Sequence, residues 1–119
     1  MTDTNIDLIH RFLNAINDSA SARRAAFAEI LTPDFAFTDP IDDVQGPDAL
    51  AQALEQLQQQ SPDNFRFTPT GTIDAHHQQA RFSWQYGADG EEPAVTGQDI
   101  VIFDGGRIHR IYGFVDSTA

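Results

Sequence analysis

Two aspartates stand where apolar side chains would be expected. In "DFAFTDPIDD" (34–43) the odd positions read Phe35, Phe37, Asp39, Ile41, and in "AVTGQDIVIF" (94–103) they read Val95, Gly97, Asp99, Val101, Phe103. Side chains of a strand alternate between its faces, so each segment puts a carboxylate on an otherwise apolar face. A carboxyl group buried without partners raises its pKa and sheds its charge. Two such groups facing one cavity can therefore divide a reaction. The ionised one takes a proton as base, and the protonated one donates a hydrogen bond to the developing oxyanion. Structural roles compete with this chemistry. Asp39 precedes Pro40, a setting in which aspartate organises a turn through its own side chain. Asp99 could pair with an arginine or a tyrosine hydroxyl of a neighbouring strand.

The elements that would position these residues follow from periodicity. Ile6, Ile9, Phe12, Leu13 and Ile16 recur at helical spacing, with Thr4 or Asn5 as N-cap, and predict about four turns of amphipathic helix. A second helix is expected from Ser21 through "ARRAAFAEIL", burying Ala26, Phe27, Ile30 and Leu31 and stopping before Pro33. After the strand of the first aspartate, a loop ends at Gly46 and Pro47 opens a third helix with Leu50, Leu54 and Leu57 on one face. The glutamines 58–60 read as its solvated end. From Phe65 the period switches to two, and four strand-length segments follow, separated by "AHHQ", "GADGEEP" and "DGG". Pro69 and Gly71 inside the first of these suggest an edge strand or a bulge that bends the sheet. The predicted fold is a single α+β domain spanning residues 1–119, with three N-terminal helices packed on one face of a curved antiparallel sheet.

Composition narrows the function classes. Eighteen acidic residues against seven arginines, without any lysine, give a net charge of −11, which repels nucleic-acid phosphates and anionic lipid headgroups. Neither nucleic acid nor a membrane is an expected partner. The start of the chain lacks a basic stretch followed by an apolar one, so a cytoplasmic location is expected. With no cysteine there is no thiolate nucleophile, disulfide or zinc knuckle. Phosphate loops, serine elbows and metal motifs are likewise missing, so neither a cofactor nor a metal is expected. The chain is long enough to bury roughly two-thirds of its unfolded surface and to fold without such aids. Ile100 and Ile102 make the second face of one strand apolar, and the last strand carries Ile111 and Val115 on one side with Ile108, Tyr112 and Phe114 on the other. A sheet apolar on both faces covers helices with one and a second subunit with the other, which predicts a homodimer.

The order of elements, the "FTDP" after the second helix, the "GP" opening the third and the "GQDIVIFDGGRI" hairpin resemble the nuclear-transport-factor-2-like superfamily, specifically its SnoaL-like and ketosteroid-isomerase-like members. The resemblance covers essentially the whole chain. It implies a cone, a strongly bent sheet wrapped round a hydrophobic pocket and capped by the helices, in a homodimer built on the outer sheet face. It also implies a small hydrophobic carbonyl compound as ligand, Asp39 as general base, and Asp99 as the protonated donor to an enolate oxygen. The implied pocket wall is Phe12, Ile16, Phe35, Phe37, Leu54, Phe82, Trp84, Tyr86, Val101, Ile111, Gly113 and Val115, of which Phe82, Trp84 and Tyr86 also share one face by alternation. One departure matters. The family's tyrosine on the first helix, which shares the oxyanion, falls in "HRFLNAI" at Phe12. Losing one oxyanion donor typically costs a factor of about 100 to 1000 in rate. Either the chemistry is not steroid isomerisation or a donor such as Tyr86 or Trp84 has moved in. Phe82 and Trp84 would narrow the pocket toward a ligand smaller than a steroid. SnoaL-like cyclases, which close polyketide rings by deprotonating an activated carbon, need an aspartate base and impose less on the donor side.

Other polar residues carry less. His76 and His77 fall in a predicted turn and point apart, as exposed histidines do. By the resemblance His109 shares the pocket face with Ile111 and Val115, whereas periodicity allows either face. The Asp-Arg-Asp arrangement of limonene-epoxide-hydrolase-like relatives would need an arginine between the carboxylates, and no motif places Arg81, Arg107 or Arg110 there. Two function classes remain: a cofactor-free isomerase or cyclase, and a non-catalytic ligand-binding or dimeric interaction protein of the same fold.

Overall fold

A computed structural model describes residues 4–116. The three apolar periodicities form α1 (Thr4–Ile16), α2 (Ala20–Ile30) and α3 (Pro47–Gln60), and the alternating segments form β1 (Leu31–Thr38), β2 (Asp43–Gln45), β3 (Phe65–His76), β4 (Gln79–Ala88), β5 (Val95–Asp104) and β6 (Arg107–Val115). The six strands make one sheet in the order β2-β1-β6-β5-β4-β3. The expected α+β class holds, and the helices pack on one side of the curved sheet. The sheet is mixed where an antiparallel one was expected, because β1 runs parallel to β6. No helix among the described residues is long and apolar enough to cross a membrane.

The differences from the sequence reading are local. Ser19, not Ser21, caps α2: its backbone is extended and its hydroxyl accepts from the Ala22 N–H at 3.3 Å. Thr4 and Asn5 lie inside α1 instead of capping it. Leu31 opens β1 and Pro33 lies within that strand. Proline is tolerated because the β1–β6 register slips between Leu31 and Ala36, so no regular ladder bond is asked of its nitrogen. The three residues of β2, read as loop, pair with residues 36–38. As anticipated, β3 is an edge strand, and its pairing with β4 shifts between Thr70 and Asp74, around Gly71 at φ +69°. A second shift between Ile102 and Phe103 lets Ile108 and Ile111 both point inward, which a strict alternation would forbid.

Polar side chains lock the helical layer to the sheet edge. Arg23 is fully buried. Its Nε donates to the Ala15 carbonyl at 3.2 Å and its Nη2 to the Asp18 carbonyl and to Gln58 Oε1, each at 2.7 Å. It thus satisfies carbonyls at the C-terminal end of α1 that the helix cannot and ties α1, α2 and α3 together. Asn17 mimics a strand. Its amide donates to the Phe67 carbonyl and accepts from the Phe67 N–H, both at 2.8 Å, closing part of the β3 edge. Replacing Arg23 by methionine keeps the bulk and removes these three hydrogen bonds, one buried and two half-buried. The expected cost is about 3 kcal/mol, read as a lower urea midpoint at unchanged m-value.

Candidate functional site

Between α1, α3 and the concave sheet face lies a cavity of about 310 Å³. α1 contributes Phe12, Leu13 and Ile16; α3 contributes Leu50, Ala53, Leu54, Gln56, Leu57 and Gln60; the sheet and its first turn contribute Phe37, Asp39, Ile41, Asp42, Phe67, Phe82, Trp84, Tyr86, Val95, Asp99 and Val115. Four residues expected on this wall lie elsewhere. Phe35, Val101 and Ile111 are 0–1 % exposed in the closed core, because they sit deeper, where the sheet meets the helices directly. Gly113 has no side chain to present and lies beneath the two aspartates. Among the residues not anticipated, Leu50 and Leu57 had been assigned to the apolar face of their helix, and Phe67 alternates with Phe65. Gln56, Gln60 and Asp42 gave no signal, since polar residues at a rim look like any exposed ones.

Strand register explains how Asp99 is held. It pairs with Phe82 on one side and with Gly113 on the other, while Gly97 pairs with Trp84 and Val115. A Cβ at Gly97 would overlap the Phe114 carbonyl and the Trp84 ring. Because that atom is missing, the indole lies across β5 and its Nε1–H donates to Asp99 Oδ1 at 3.0 Å. A Cβ at Gly113 would lie 3.0 Å from Asp99 Oδ1 and 3.1 Å from Asp39 Cβ, so this glycine makes room for both acids. Asp99 is 8 % exposed. Burial pushes its carboxyl up to about 7; the Trp84 hydrogen bond pulls the other way and the nearby Asp39 adds to the rise.

Asp39 both organises a turn and lines the cavity. Its Oδ1 accepts from the Ile41 N–H at 2.9 Å and the Asp42 N–H at 2.6 Å, and its own N–H donates to the Asp42 carbonyl at 2.8 Å. This is an aspartate-organised turn, yet the residue also lines the cavity. Both backbone donors fall on Oδ1, and Oδ2 has no hydrogen bond from the described residues. Asp42, beside it, is raised by its own burial and then by Asp39.

Phe12 stacks on Phe27 at 5.8 Å and carries no donor into the cavity. Tyr86 stacks on Phe67 at 4.3 Å. The N–H of Trp84, a candidate replacement donor, is already spent on Asp99. His109 leaves the pocket face at the β5–β6 register shift; its Nδ1 lies 3.0 Å from Thr32 Oγ1 and 3.4 Å from Asp34. His76 and His77 sit exposed at the β3–β4 turn, with Nδ1 atoms 3.1 Å apart. Arg81 pairs with Asp74, Arg107 with backbone carbonyls of residues 28 and 31, and Arg110 with the Asp34 carbonyl. Among the described residues no arginine or histidine lines the cavity, and no three acids or histidines are grouped to hold a metal ion.

Asp99 has a measurable signature. In the unfolded chain it would titrate near 3.8, in the fold near 7. Between those values the unfolded state gives up its proton first, so this residue's contribution to stability falls as pH rises from about 4 to about 7 and is level above. Asp99→Asn should flatten the pH dependence of the urea midpoint across that window. The single tryptophan reports the same event, and its fluorescence should titrate near pH 7 in the native chain and not in the variant.

Comparison with known proteins places this geometry. A profile of the SnoaL-like domain matches residues 9–111. None of the curated proteins matches. Among solved structures, a provisionally named isomerase of the SnoaL-like family from Agrobacterium tumefaciens str. C58 is 27 % identical, covers 96 % of this chain and 98 % of its own, and superposes with a TM-score of 0.87. A provisionally named ketosteroid isomerase from Kribbella flavida DSM 17836 is 18 % identical over 99 % of this chain and 82 % of its own, with a TM-score of 0.76. A provisionally named SnoaL-like polyketide cyclase from Jannaschia sp. CCS1 is 14 % identical over 95 % and 85 %, with a TM-score of 0.74. The last two likenesses show the cone fold; the profile match along most of the chain shows the family. This protein belongs to the SnoaL-like domain family.

Proposed function

We propose that the protein is a cofactor-free isomerase or cyclase that moves a proton on carbon next to a carbonyl group of a small hydrophobic compound. The observation that carries this reading is the convergence of two differently treated carboxyls on one cavity, Asp39 with two backbone donors on Oδ1 and Asp99 buried and raised to about 7. In the proposed reaction Asp39 abstracts the proton through Oδ2. Asp99 holds its acid proton on Oδ2, because Oδ1 accepts from Trp84, and donates it as a hydrogen bond to the enolate oxygen. The aromatic wall of Phe12, Phe37, Phe82 and Trp84 would exclude water and strengthen that bond. The isomerase and cyclase names of the structural relatives agree with this class of chemistry.

Phe12 favours a second reading, a non-catalytic pocket for the same kind of ligand, because one oxyanion donor is missing. Conversion or α-deuterium exchange of small cyclic β,γ-enones separates the two. A proton-transfer enzyme should lose about 100- to 10,000-fold in rate in Asp39→Asn and about 100-fold or more in Asp99→Leu. Its rate should fall as pH rises through about 7 and the Asp99 donor is lost. Native and Asp39→Asn chains with equal rates would remove Asp39 as base.

We further propose that the convex sheet face makes a homodimer. Tyr112 and Phe114 are 43 % and 61 % exposed there, next to the half-buried Ile100 and Ile102. An exposed aromatic pair on a sheet face is a surface that association removes from water. Phe114→Asp should convert a dimer to a monomer in sedimentation velocity; a native chain that sediments as a monomer at micromolar concentration would sink the idea.

A further inference from the structure

The cavity holds one acid that the proposed proton transfer does not use. Asp42 lines it beside Asp39 and Asp99, and its carboxyl has neither a hydrogen bond nor an ion pair among the described residues. None of the three acids belongs to a salt bridge: the described pairs join Arg11 to Glu29, Arg24 to Asp48, Arg81 to Asp74 and His109 to Asp34. A chain with seven arginines thus spends none of them on the site where acids are concentrated. Asp99, buried and bonded through Oδ1 to Trp84, has no hydrogen bond to its second oxygen from the described residues. The rest of the wall is apolar apart from two glutamine amides and the Tyr86 hydroxyl, and it includes six aromatic side chains. Carboxylates without counter-charge beside aromatic faces, here Asp39 and Asp42 while Asp99 holds its proton, form an environment that stabilises a desolvated cation and repels an anion.

From this juxtaposition we infer that the cavity selects its ligand by charge, taking an apolar carbonyl compound that carries a protonated amine and rejecting carboxylates, phosphate esters and anionic thioesters. The ammonium sits at Asp42, on the turn at the rim, where its charge lies between that carboxylate and neighbouring aromatic rings. The carbonyl end reaches inward to Asp99. Asp42 is then a specificity residue and takes no part in the proton transfer. The inference rests on the reading of the cavity as a ligand site and is independent of whether turnover occurs.

The test is calorimetric titration of the native chain with three 2-tetralones that differ only at position 6, aminomethyl, methyl and carboxylate. The expected order is aminomethyl, then methyl, then carboxylate, with steps of about tenfold in Kd. Asp42→Asn keeps the backbone bonds of the turn and should erase most of the aminomethyl advantage without changing the affinity of the methyl compound. Gln60→Lys, at the end of α3 on the cavity wall, supplies an independent check and should move the carboxylate ahead of the aminomethyl compound. Equal affinities for all three ketones, or an aminomethyl advantage that survives Asp42→Asn, would overturn the charge inference and leave the proton-transfer reading standing. Failure of all three to bind would overturn the ligand-site reading itself. Loss of exchange on neutral enones bears on catalysis alone.

Discussion

The hydrogen bond from Trp84 Nε1 to Asp99 Oδ1, at 3.0 Å, is the interaction on which the site is organised. Placing a carboxyl group on the inner face of a sheet costs several kcal/mol unless a partner is supplied. An indole from the adjacent strand can reach it along the diagonal only if the residue of β5 directly opposite the indole offers no side chain in the way. Gly97 provides that clearance, since a Cβ there would overlap the indole ring and the Phe114 carbonyl. Gly113 provides it on the other side, where its bare backbone lets Asp99 and Asp39 approach the same point. The two glycines look like weak strand residues when taken singly. Within the register of β4, β5 and β6 they are the reason an acid can be buried without being crowded.

A cavity also needs a layer of helices that does not collapse into it. The polar contacts of Arg23 and Asn17 serve this end at the junction of α1, α2, α3 and β3. Arg23 holds carbonyls at the end of α1 and the side chain of Gln58, fixing the three helices relative to one another. Asn17 pins the same end of α1 to Phe67, itself a cavity residue, through a pair of 2.8 Å bonds. Hydrogen bonds have directional optima that apolar contacts lack, so this corner sets helix positions that close packing alone would shift to fill the void. Rigid scaffolding around an unfilled space is what distinguishes a site from a loosely packed core.

The fold was legible because its two periodicities separate along most of the chain, with three helices and the strand leading to Asp39 before Gln60 and alternation alone after Phe65. What escaped reading was set by long-range pairing. A three-residue strand such as β2 is too short to show alternation. The parallel β1–β6 pair depends on which strand lies in the middle of the sheet, a matter that local sequence does not encode. For His109 the resemblance implied the pocket face while periodicity allowed either, because a register shift inserts a residue into β6 and a single extra residue reverses the facing of those beyond it. For the site, alternation found Asp39, Asp99 and the Phe82, Trp84, Tyr86 row. It could not distinguish the deep core, where Phe35, Val101 and Ile111 lie, from the open end of the same face. Nor could it foresee that the Trp84 N–H is spent on Asp99, since that bond spans two strands at a diagonal.

Phe12 links the packing argument to the chemical one. Its ring stacks on Phe27, so the position where relatives are expected to carry an oxyanion donor here joins α1 to α2. With that donor gone, the proposed chemistry rests on Asp99 alone, and Asp99 donates only while protonated. Near neutral pH the empty cavity holds a mixture of the two forms. An apolar occupant removes the remaining water from around the carboxyl, and further desolvation favours the neutral acid. Filling the cavity would thereby raise the fraction of molecules that carry the donor. An occupant's oxygen accepting from Asp99 Oδ2 would add to the effect, because it bonds to the protonated form. A site built this way needs no second donor to be present in advance; the ligand itself completes the protonation state on which the reaction depends.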